Sequence, residues 1–272
     1  MPQRLVRLAM LSLLSATFGC GGTNPPRDVG LTKTADEAGI TISADEDPWQ
    51  ILAKAVAAMG GSEKLKRWSV GKIEYKEWTE IAAKNTPLVA ETTFEDTFQL
   101  PGYFKRVMHM RLKTGQEITN IRVGSNGTGW VRKPTGEIAE SEDKYSGRMR
   151  HPFAEMLDPT FERADAQLKV LGEGQVEGQV VVIVRVQSSE ANGDCYFAKS
   201  SALLVKHTKV MHHPFTGKEV TAETYLSEYK TIQGGKVPMR IRTFTGPDPF
   251  CDITILDLQF SDKIDKSEFA KP

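Results

Sequence analysis

Two spacings of apolar residues divide the chain, and the first of them is helical. Asp47 is a good N-cap, Pro48 suits the first helical position, and the pair Gly60-Gly61 is typical of a helix end. Between these residues the apolar side chains recur on one face at the helical period. They are Ile51, Leu52, Ala55, Val56 and Met59. The pattern predicts a helix here, followed by a second short helical turn from Ser62.

From Gly71 onward the apolar period changes to two, which indicates strands separated by turns such as Pro101-Gly102. Asp96 shares the parity of the apolar residues around it, and so does Arg106. One face of each strand is therefore mainly apolar and the other mainly polar. The apolar positions are Ile73, Tyr75, Trp78, Phe94, Phe98, Phe104, Met108 and Met110.

A helical stripe interrupts the strands over residues 142–157, where Pro152 must kink or start part of the helix. After it the period of two returns and predicts six strands. They cover roughly Val180–Val186, Asp194–Lys199, Leu203–Val210, Val220–Tyr229, Val237–Phe244 and Asp252–Phe260.

The last strand contains a change of parity. Ile253 and Ile255 share one parity, whereas Leu256, Leu258 and Phe260 share the other. A β-bulge between the two sets explains the slip.

The order helix, strands, helix, long meander lacks the alternation of strand and helix that a parallel sheet requires. The fold class that we predict is mainly β (α+β), with an antiparallel sheet. No internal repeat is present in the sequence.

The first nineteen residues have the features of a secretory signal. Arg4 and Arg7 precede an apolar stretch from Leu8 to Phe18, which is too short to span a bilayer. The competing interpretation is a buried N-terminal helix.

Thr17-Phe18-Gly19-Cys20 resembles a bacterial lipobox, although Thr17 stands where Leu is usual and Phe18 is bulky. We therefore predict a signal over 1–19 and a lipid-modified Cys20, with cleavage by ordinary signal peptidase as the alternative. Residues 20–46 are poor in apolar side chains and predict a flexible tether to a folded domain over 47–272. The cell envelope is the expected location, with the outer membrane favoured.

The balance of charged residues argues against two classes of partner, nucleic acid and anionic lipid. The 35 basic and 35 acidic residues balance, so the chain has neither the footprint of a nucleic-acid binder nor a polybasic patch for anionic lipid. Cys195 and Cys251 lie on strands with three others predicted between them, which is too far for a disulfide. We expect two separate thiols.

Several separated segments resemble the LolA/LolB-like family of bacterial envelope lipoproteins, which includes outer-membrane lipoprotein-sorting proteins. The likeness covers about 47–272 and is carried by Ala57–Leu65, Asp96–Arg106, Leu203–Lys206, Gly217–Tyr229 and Phe269–Pro272. This resemblance implies a strongly curved antiparallel sheet that forms an open half-barrel, with helices packed on its concave face. In the family's lipoprotein carriers, that face receives acyl chains.

The candidate ligand surface is the inward aromatic and methionine set, because concave apolar linings suit hydrophobic ligands and Met adapts to irregular shapes. The competing interpretation is that these residues only pack helices against the sheet. The set is Phe94, Phe98, Phe104, Met108, Met110, Trp130, Met156 and Leu157.

No sequence motif indicates catalysis or a resident metal. G-x-S-x-G and H-E-x-x-H are absent, and His212 and His213 point to opposite sides of an extended segment. We predict no cofactor, no metal and no enzyme activity.

The predicted function is binding of a lipid or other hydrophobic ligand at the envelope, with anchoring through Cys20 and an envelope protein as a further possible partner. The main alternative is a structural or protein-interaction module in which helices 48–67 and 142–157 plug the half-barrel. A hydrolase with residues distant in sequence is the third hypothesis.

Overall fold

The structure is a computed structural model. It describes residues 40–79, 89–100, 102–125, 128–142, 166–187, 192–212 and 217–272. Cys20, Met156, Leu157 and most of the predicted 142–157 helix lie outside these residues.

Two α-helices precede the sheet, where the sequence predicted them: α1 (Pro48–Ala58) and α2 (Ser62–Arg67). The Asp47 side chain caps α1 by accepting a hydrogen bond from the Trp49 N–H at 2.9 Å. The helix buries Ile51, Leu52 and Ala55. None of the helices in the described ranges has the length and hydrophobicity needed to cross a membrane.

A segment before residue 47 also packs against the sheet. Ile42 is buried, and its N–H donates to the Lys199 carbonyl oxygen at 3.1 Å. Packing therefore begins upstream of the boundary predicted from composition.

Thirteen strands form one antiparallel sheet in the described part of the chain, in the order β6-β5-β4-β3-β2-β1-β13-β12-β11-β10-β9-β8-β7. The first six are β1 (Val70–Thr79), β2 (Val89–Gln99), β3 (Tyr103–Leu112), β4 (Glu117–Ser125), β5 (Thr128–Arg132) and β6 (Ile138–Glu142). The others are β7 (Gln167–Val176), β8 (Gln179–Gln187), β9 (Asn192–Ala198), β10 (Leu204–His212), β11 (Glu219–Ile232), β12 (Gly235–Thr245) and β13 (Asp248–Phe260).

The sheet curves around α1. This helix has 11 residues, which makes it about 16 Å long, and it contacts β7. Met59, the residue directly after it, reaches β12 by accepting a hydrogen bond from the Lys236 N–H at 3.0 Å. In a flat sheet those strands, five steps apart, would be roughly 24 Å from each other. The edge strands β6 and β7 do not pair with each other, so the sheet is open. The predicted fold class is confirmed.

The predicted bulge in the last strand is also confirmed. Tyr75 on β1 pairs with Ile255, whereas Glu74 pairs with Asp257, so Leu256 is the extra residue. Its side chain is exposed, while Leu258 is buried. The bulge thus returns both apolar sets of β13 to the same face.

Some strand boundaries differ from the prediction. Glu142, the first residue of the predicted helical stripe, is the last residue of β6 (Ile138–Glu142), which pairs with β5. Strand β7 was missed because Gly172 and Gly174 interrupt its apolar positions. Strand β9 begins at Asn192, two residues before the predicted strand start at Asp194.

The concave side holds the larger of two hydrophobic clusters. It joins α1 and Trp68 to the strands that lie between β3 and β8 in the order of the sheet, these two included. The rings of Trp68 and Phe260 stack at 5.1 Å. The smaller cluster lies on the convex side under the C-terminal 3₁₀-helix (Lys266–Phe269), where Phe269 packs on Tyr103 at 5.4 Å.

Trp68 requires glycine at position 235. A Cβ placed on Gly235 would lie 2.4 Å from Trp68 Cζ2 and 3.1 Å from the Met59 carbonyl oxygen. We expect Gly235→Ala to lower the free energy of unfolding in urea by about 1–3 kcal/mol, because the bulky indole must move. Gly174→Ala is the control, since the tightest contact of its Cβ would be the flexible Cδ1 end of Ile183 at 3.1 Å. Equal losses in the two variants would contradict this packing.

Candidate ligand-binding face

Strand register assembles most of the predicted ligand surface on the concave side. Phe98 pairs with Phe104 across β2 and β3, and Phe94 pairs with Met108. Phe98, Phe104 and Met110 are buried, whereas Phe94 and Met108 are partly exposed. These five side chains therefore form one apolar strip that runs from the core to a part of the face in contact with solvent.

Trp130 does not belong to this strip. It pairs with Val123, and Val123 pairs with Lys105, so Trp130 has the parity of the opposite face. It packs with the convex cluster beside the 3₁₀-helix. The sequence-based placement of Trp130 on the inner face was wrong, because parity within one short strand does not reveal which of its faces is concave.

A buried ion pair lies in the middle of the apolar strip. Arg106 Nε donates to Asp96 Oδ1 at 2.8 Å, and Arg106 Nη2 donates to Oδ2 at 2.6 Å. The Asp96 side chain is fully buried, while that of Arg106 retains 17% exposure. The Tyr75 hydroxyl also donates to Asp96 Oδ2 at 3.3 Å. A bidentate contact of this kind fixes the orientation of the guanidinium.

Aromatic rings surround the Arg106 guanidinium. Its Cζ lies 5.1 Å from the centre of the Phe94 ring, 5.3 Å from that of Phe104 and 5.8 Å from that of Tyr75. Tyr75 and Phe94 stack on each other at 5.0 Å. The attraction of Asp96 raises the pKa of Arg106 despite its burial, so the guanidinium stays charged.

Glu77 is the next inward residue after Tyr75 on β1. Burial raises the pKa of its carboxyl to about 7, the positive charge of Arg106 opposes the rise, and the negative charge of Asp96 adds to it. The Cys251 thiol lies 4.0 Å from Glu77 Oε1. The concave face therefore holds a carboxyl group that titrates near neutral pH, which the sequence pattern did not reveal.

The two described cysteines are separate thiols, as predicted. Cys195 lies on β9 and Cys251 on β13, with β10, β11 and β12 between them, and neither forms a disulfide. Burial raises the pKa of Cys195 to about 12, which keeps it protonated at neutral pH. His207 lies directly opposite Cys195. Within the described ranges, no three or more His, Cys, Asp or Glu side chains are grouped to hold a metal.

A surface depression of about 610 Å³ lies away from the apolar strip, where residues 41–46 pass the start of β8 and the turn after β9. It contains none of the residues predicted to bind ligand. Its lining is Thr41, Ile42, Ser43, Glu46, Gln179, Val180, Lys199 and Ser200.

Comparison with known proteins gives similarity in structure only. No family model matches the sequence, and no curated protein is significantly similar to it. A domain from Vibrio parahaemolyticus, described as a putative outer membrane lipoprotein-sorting protein domain, has a TM-score of 0.48 and 12% identity, over 82% of this chain and 96% of its own. A LolA superfamily protein from Nitrosomonas europaea has a TM-score of 0.47 and 11% identity, over 85% and 98%. A DUF1329 family protein from Desulfovibrio piger has a TM-score of 0.46 and 12% identity, over 82% and 98%. At identities of 11–12%, the likeness to these three solved structures concerns the fold alone.

Proposed function

We propose that the concave face binds a lipid or another ligand with an apolar chain, in a protein exported to the cell envelope and anchored there through Cys20. The observation that carries the proposal is the apolar strip, which continues from buried Phe98 and Phe104 to the partly exposed side chains of Phe94 and Met108. An apolar chain laid on that strip would remove exposed hydrophobic surface from water.

Two features of the strip suit an acyl chain. Met108 and Met110 follow each other on the same face of β3, and their unbranched side chains adapt to a flexible ligand. The strip lies on β2 and β3, which are paired with β1 and β4 on either side, so little backbone rearrangement is needed on binding.

The first experiment is organic extraction and mass spectrometry of the full chain, expressed with its own leader and purified from a bacterial host. Co-purified lipid in stoichiometric amount would support the proposal and identify the ligand class. The intact mass of the same preparation would report whether Cys20 carries acyl chains. An unmodified protein that starts beyond Cys20 would contradict the anchor.

Met108→Gln tests the face directly. We expect this variant to bind a fluorescent fatty acid about tenfold more weakly than the unchanged chain, because a polar amide replaces an apolar contact of similar length. Val107→Gln is the matched control, since Val107 is the neighbour of Met108 on β3 and faces the convex side. Equal affinities in the two variants would exclude the concave strip as the binding surface.

The second candidate is a scaffold that binds an envelope protein partner through its outer surface. Helix α1 favours it, because its Ile51, Leu52 and Ala55 fill part of the concavity and belong to the main core. An extract without lipid, together with no uptake of fatty acid by the delipidated protein, would favour this scaffold over the ligand-binding protein.

A further inference from the structure

Glu77 lies at the border between an apolar and a polar part of the concave face. Tyr75 pairs with Phe94, and Glu77 follows Tyr75 by two residues on the same face, so Phe94 is its diagonal neighbour on β2. Diagonal neighbours in an antiparallel pair lie about 7–8 Å apart, within reach of long side chains. Phe94 in turn pairs with Met108 on β3. The Glu77 carboxyl thus adjoins the partly exposed end of the apolar strip.

On its other side, Glu77 is followed by uncharged polar side chains. The Cys251 thiol lies 4.0 Å from Glu77 Oε1. Cys251 pairs with Thr243 on β12, and Thr243 pairs with Thr224 on β11. The hydroxyl oxygens of the two threonines lie 3.1 Å apart and share a hydrogen bond. A row of groups that can bond to a hydroxyl or carbonyl oxygen therefore continues along the face beyond Glu77.

The charged groups around Glu77 are engaged with each other. Asp96 accepts two hydrogen bonds from Arg106, and Arg122, opposite Arg106 on β4, has an interaction of its own. An anionic headgroup placed at Glu77 would meet the charge of Asp96, and a cationic headgroup would meet that of Arg106. Within the described residues, the titratable or charged side chains that act on or contact Glu77 are Tyr75, Asp96, Arg106 and Cys251.

The Glu77 carboxyl exists in both of its forms at neutral pH, because burial raises its pKa to about 7. The protonated form can donate a hydrogen bond to an oxygen atom of a ligand. The ionised form only accepts hydrogen bonds, and it would lose solvating water when an apolar chain covers the face. The side chain is partly exposed, so a ligand can reach it. Protonated Glu77 therefore favours a ligand whose polar end carries no charge.

We infer that the concave face binds an uncharged amphiphile, a fatty alcohol or an acyl ester. The protonated Glu77 carboxyl donates a hydrogen bond to the oxygen of its polar end, beside Cys251 and Thr243. The alkyl chain passes over Phe94 to Met108. This inference rests on the proposed binding of an apolar ligand and adds the chemistry of the polar end.

The first test compares three probes with the same alkyl chain by calorimetry on the delipidated full chain at pH 6: 1-decanol, decanoate and decylammonium. We expect decanol to bind about tenfold more tightly than either ion, because each ion must bury a charge for which the face has no free partner.

Each other outcome for the probes overturns a different statement. Decanoate bound as tightly as decanol would refute the uncharged class and leave the proposed function intact. Decylammonium bound as tightly as decanol, with an affinity that rises with pH, would show that Glu77 acts as a negative counter-charge. If none of the three probes binds, the proposed function fails as well.

The second test uses pH, since decanol itself does not titrate. We expect its affinity to fall about tenfold between pH 6 and pH 8, because the protonated fraction of Glu77 falls from about nine-tenths to about one-tenth. Calorimetry at pH 7.5 in two buffers of different ionisation enthalpy should show uptake of roughly three quarters of a proton per bound decanol. An affinity independent of pH, without proton uptake, would refute Glu77 as the donor. Neither measurement needs a variant protein.

Glu77→Gln then assigns the pH dependence to this residue. The amide donates a hydrogen bond at every pH, so the affinity of the variant for decanol should be the same at pH 6 and pH 8 within about twofold. Glu74→Gln is the matched control, because Glu74 is exposed and has the opposite parity on β1. It should keep the tenfold fall. A tenfold fall in Glu77→Gln, or its loss in Glu74→Gln, would refute the assignment.

Discussion

Arg106→Met should destabilise the protein by about 3–5 kcal/mol, as measured by urea unfolding at neutral pH. The replacement removes the partner of Asp96, whose side chain is fully buried and accepts two hydrogen bonds from the guanidinium. An unpaired buried charge is far more costly than the intact pair is favourable. The contacts of the guanidinium with Phe94 and Phe104 are lost as well.

The double variant Asp96→Asn/Arg106→Met separates the cost of an unpaired charge from the loss of packing. We expect it to recover most of the stability lost in the single variant, because the remaining buried amide is neutral and can still bond the Tyr75 hydroxyl. A double variant as unstable as Arg106→Met would show that packing, and not the charge of Asp96, accounts for the loss.

Arg111→Met is the control for the single variant. Arg111 lies on the same strand with the opposite parity, its side chain is 59% exposed, and its ion pair with Glu91 is solvated. Exposed pairs contribute about 0–1 kcal/mol, so the stability should change little. A loss in Arg106→Met no larger than that in Arg111→Met would contradict a buried pair at the centre of the strip.

Capping residues and the alternation of apolar side chains were enough to predict those features that depend on neighbouring residues alone. Asp47 and Pro48 fixed the start of α1, and the change of parity after Ile255 located the bulge at Leu256. Alternation also placed Phe94 and Met108 on one face. Each of these signals lies within a few residues of the feature that it predicts.

The pairing of strands in the structure shows side-chain contacts that the sequence pattern could not predict. Asp96 and Arg106 could each be assigned a parity, but only the register of β2 against β3 brings them together as partners. The opposition of Arg106 and Arg122 depends in the same way on β4. A charged residue within an apolar stripe was the available signal, and it predicts a buried pair only when a second charge of opposite sign occupies the matching position on the next strand.

Glu77 should make the stability of the fold depend on pH. Its carboxyl lies on the concave face, where burial raises its pKa from an ordinary value of 4.5 to about 7. The folded state therefore holds the proton more tightly than the unfolded chain does. Below about pH 4.5 the carboxyl is protonated in both states and its contribution to stability is complete. That contribution declines as the pH rises toward 7, and above that range the loss is constant.

The size of the effect follows from the shift. A difference of one pKa unit corresponds to about 1.4 kcal/mol, so the free energy of unfolding should lose roughly 3 kcal/mol between pH 4.5 and pH 8 on account of Glu77. Glu77→Gln keeps the shape of the side chain and cannot ionise. We expect the variant to match the unchanged protein near pH 4.5 and to be the more stable of the two at pH 8.

The measurement is urea unfolding of both proteins at intervals from pH 4.5 to 8. Glu74→Gln is the control, because Glu74 lies on the same strand with the opposite parity and is exposed. Its curve should run parallel to that of the unchanged protein. If the Glu77→Gln curve is parallel too, the carboxyl is solvated and the face is open to water at that level. A divergence that grows with pH would instead show that the concave face excludes water around Glu77, the condition under which an apolar chain is held there.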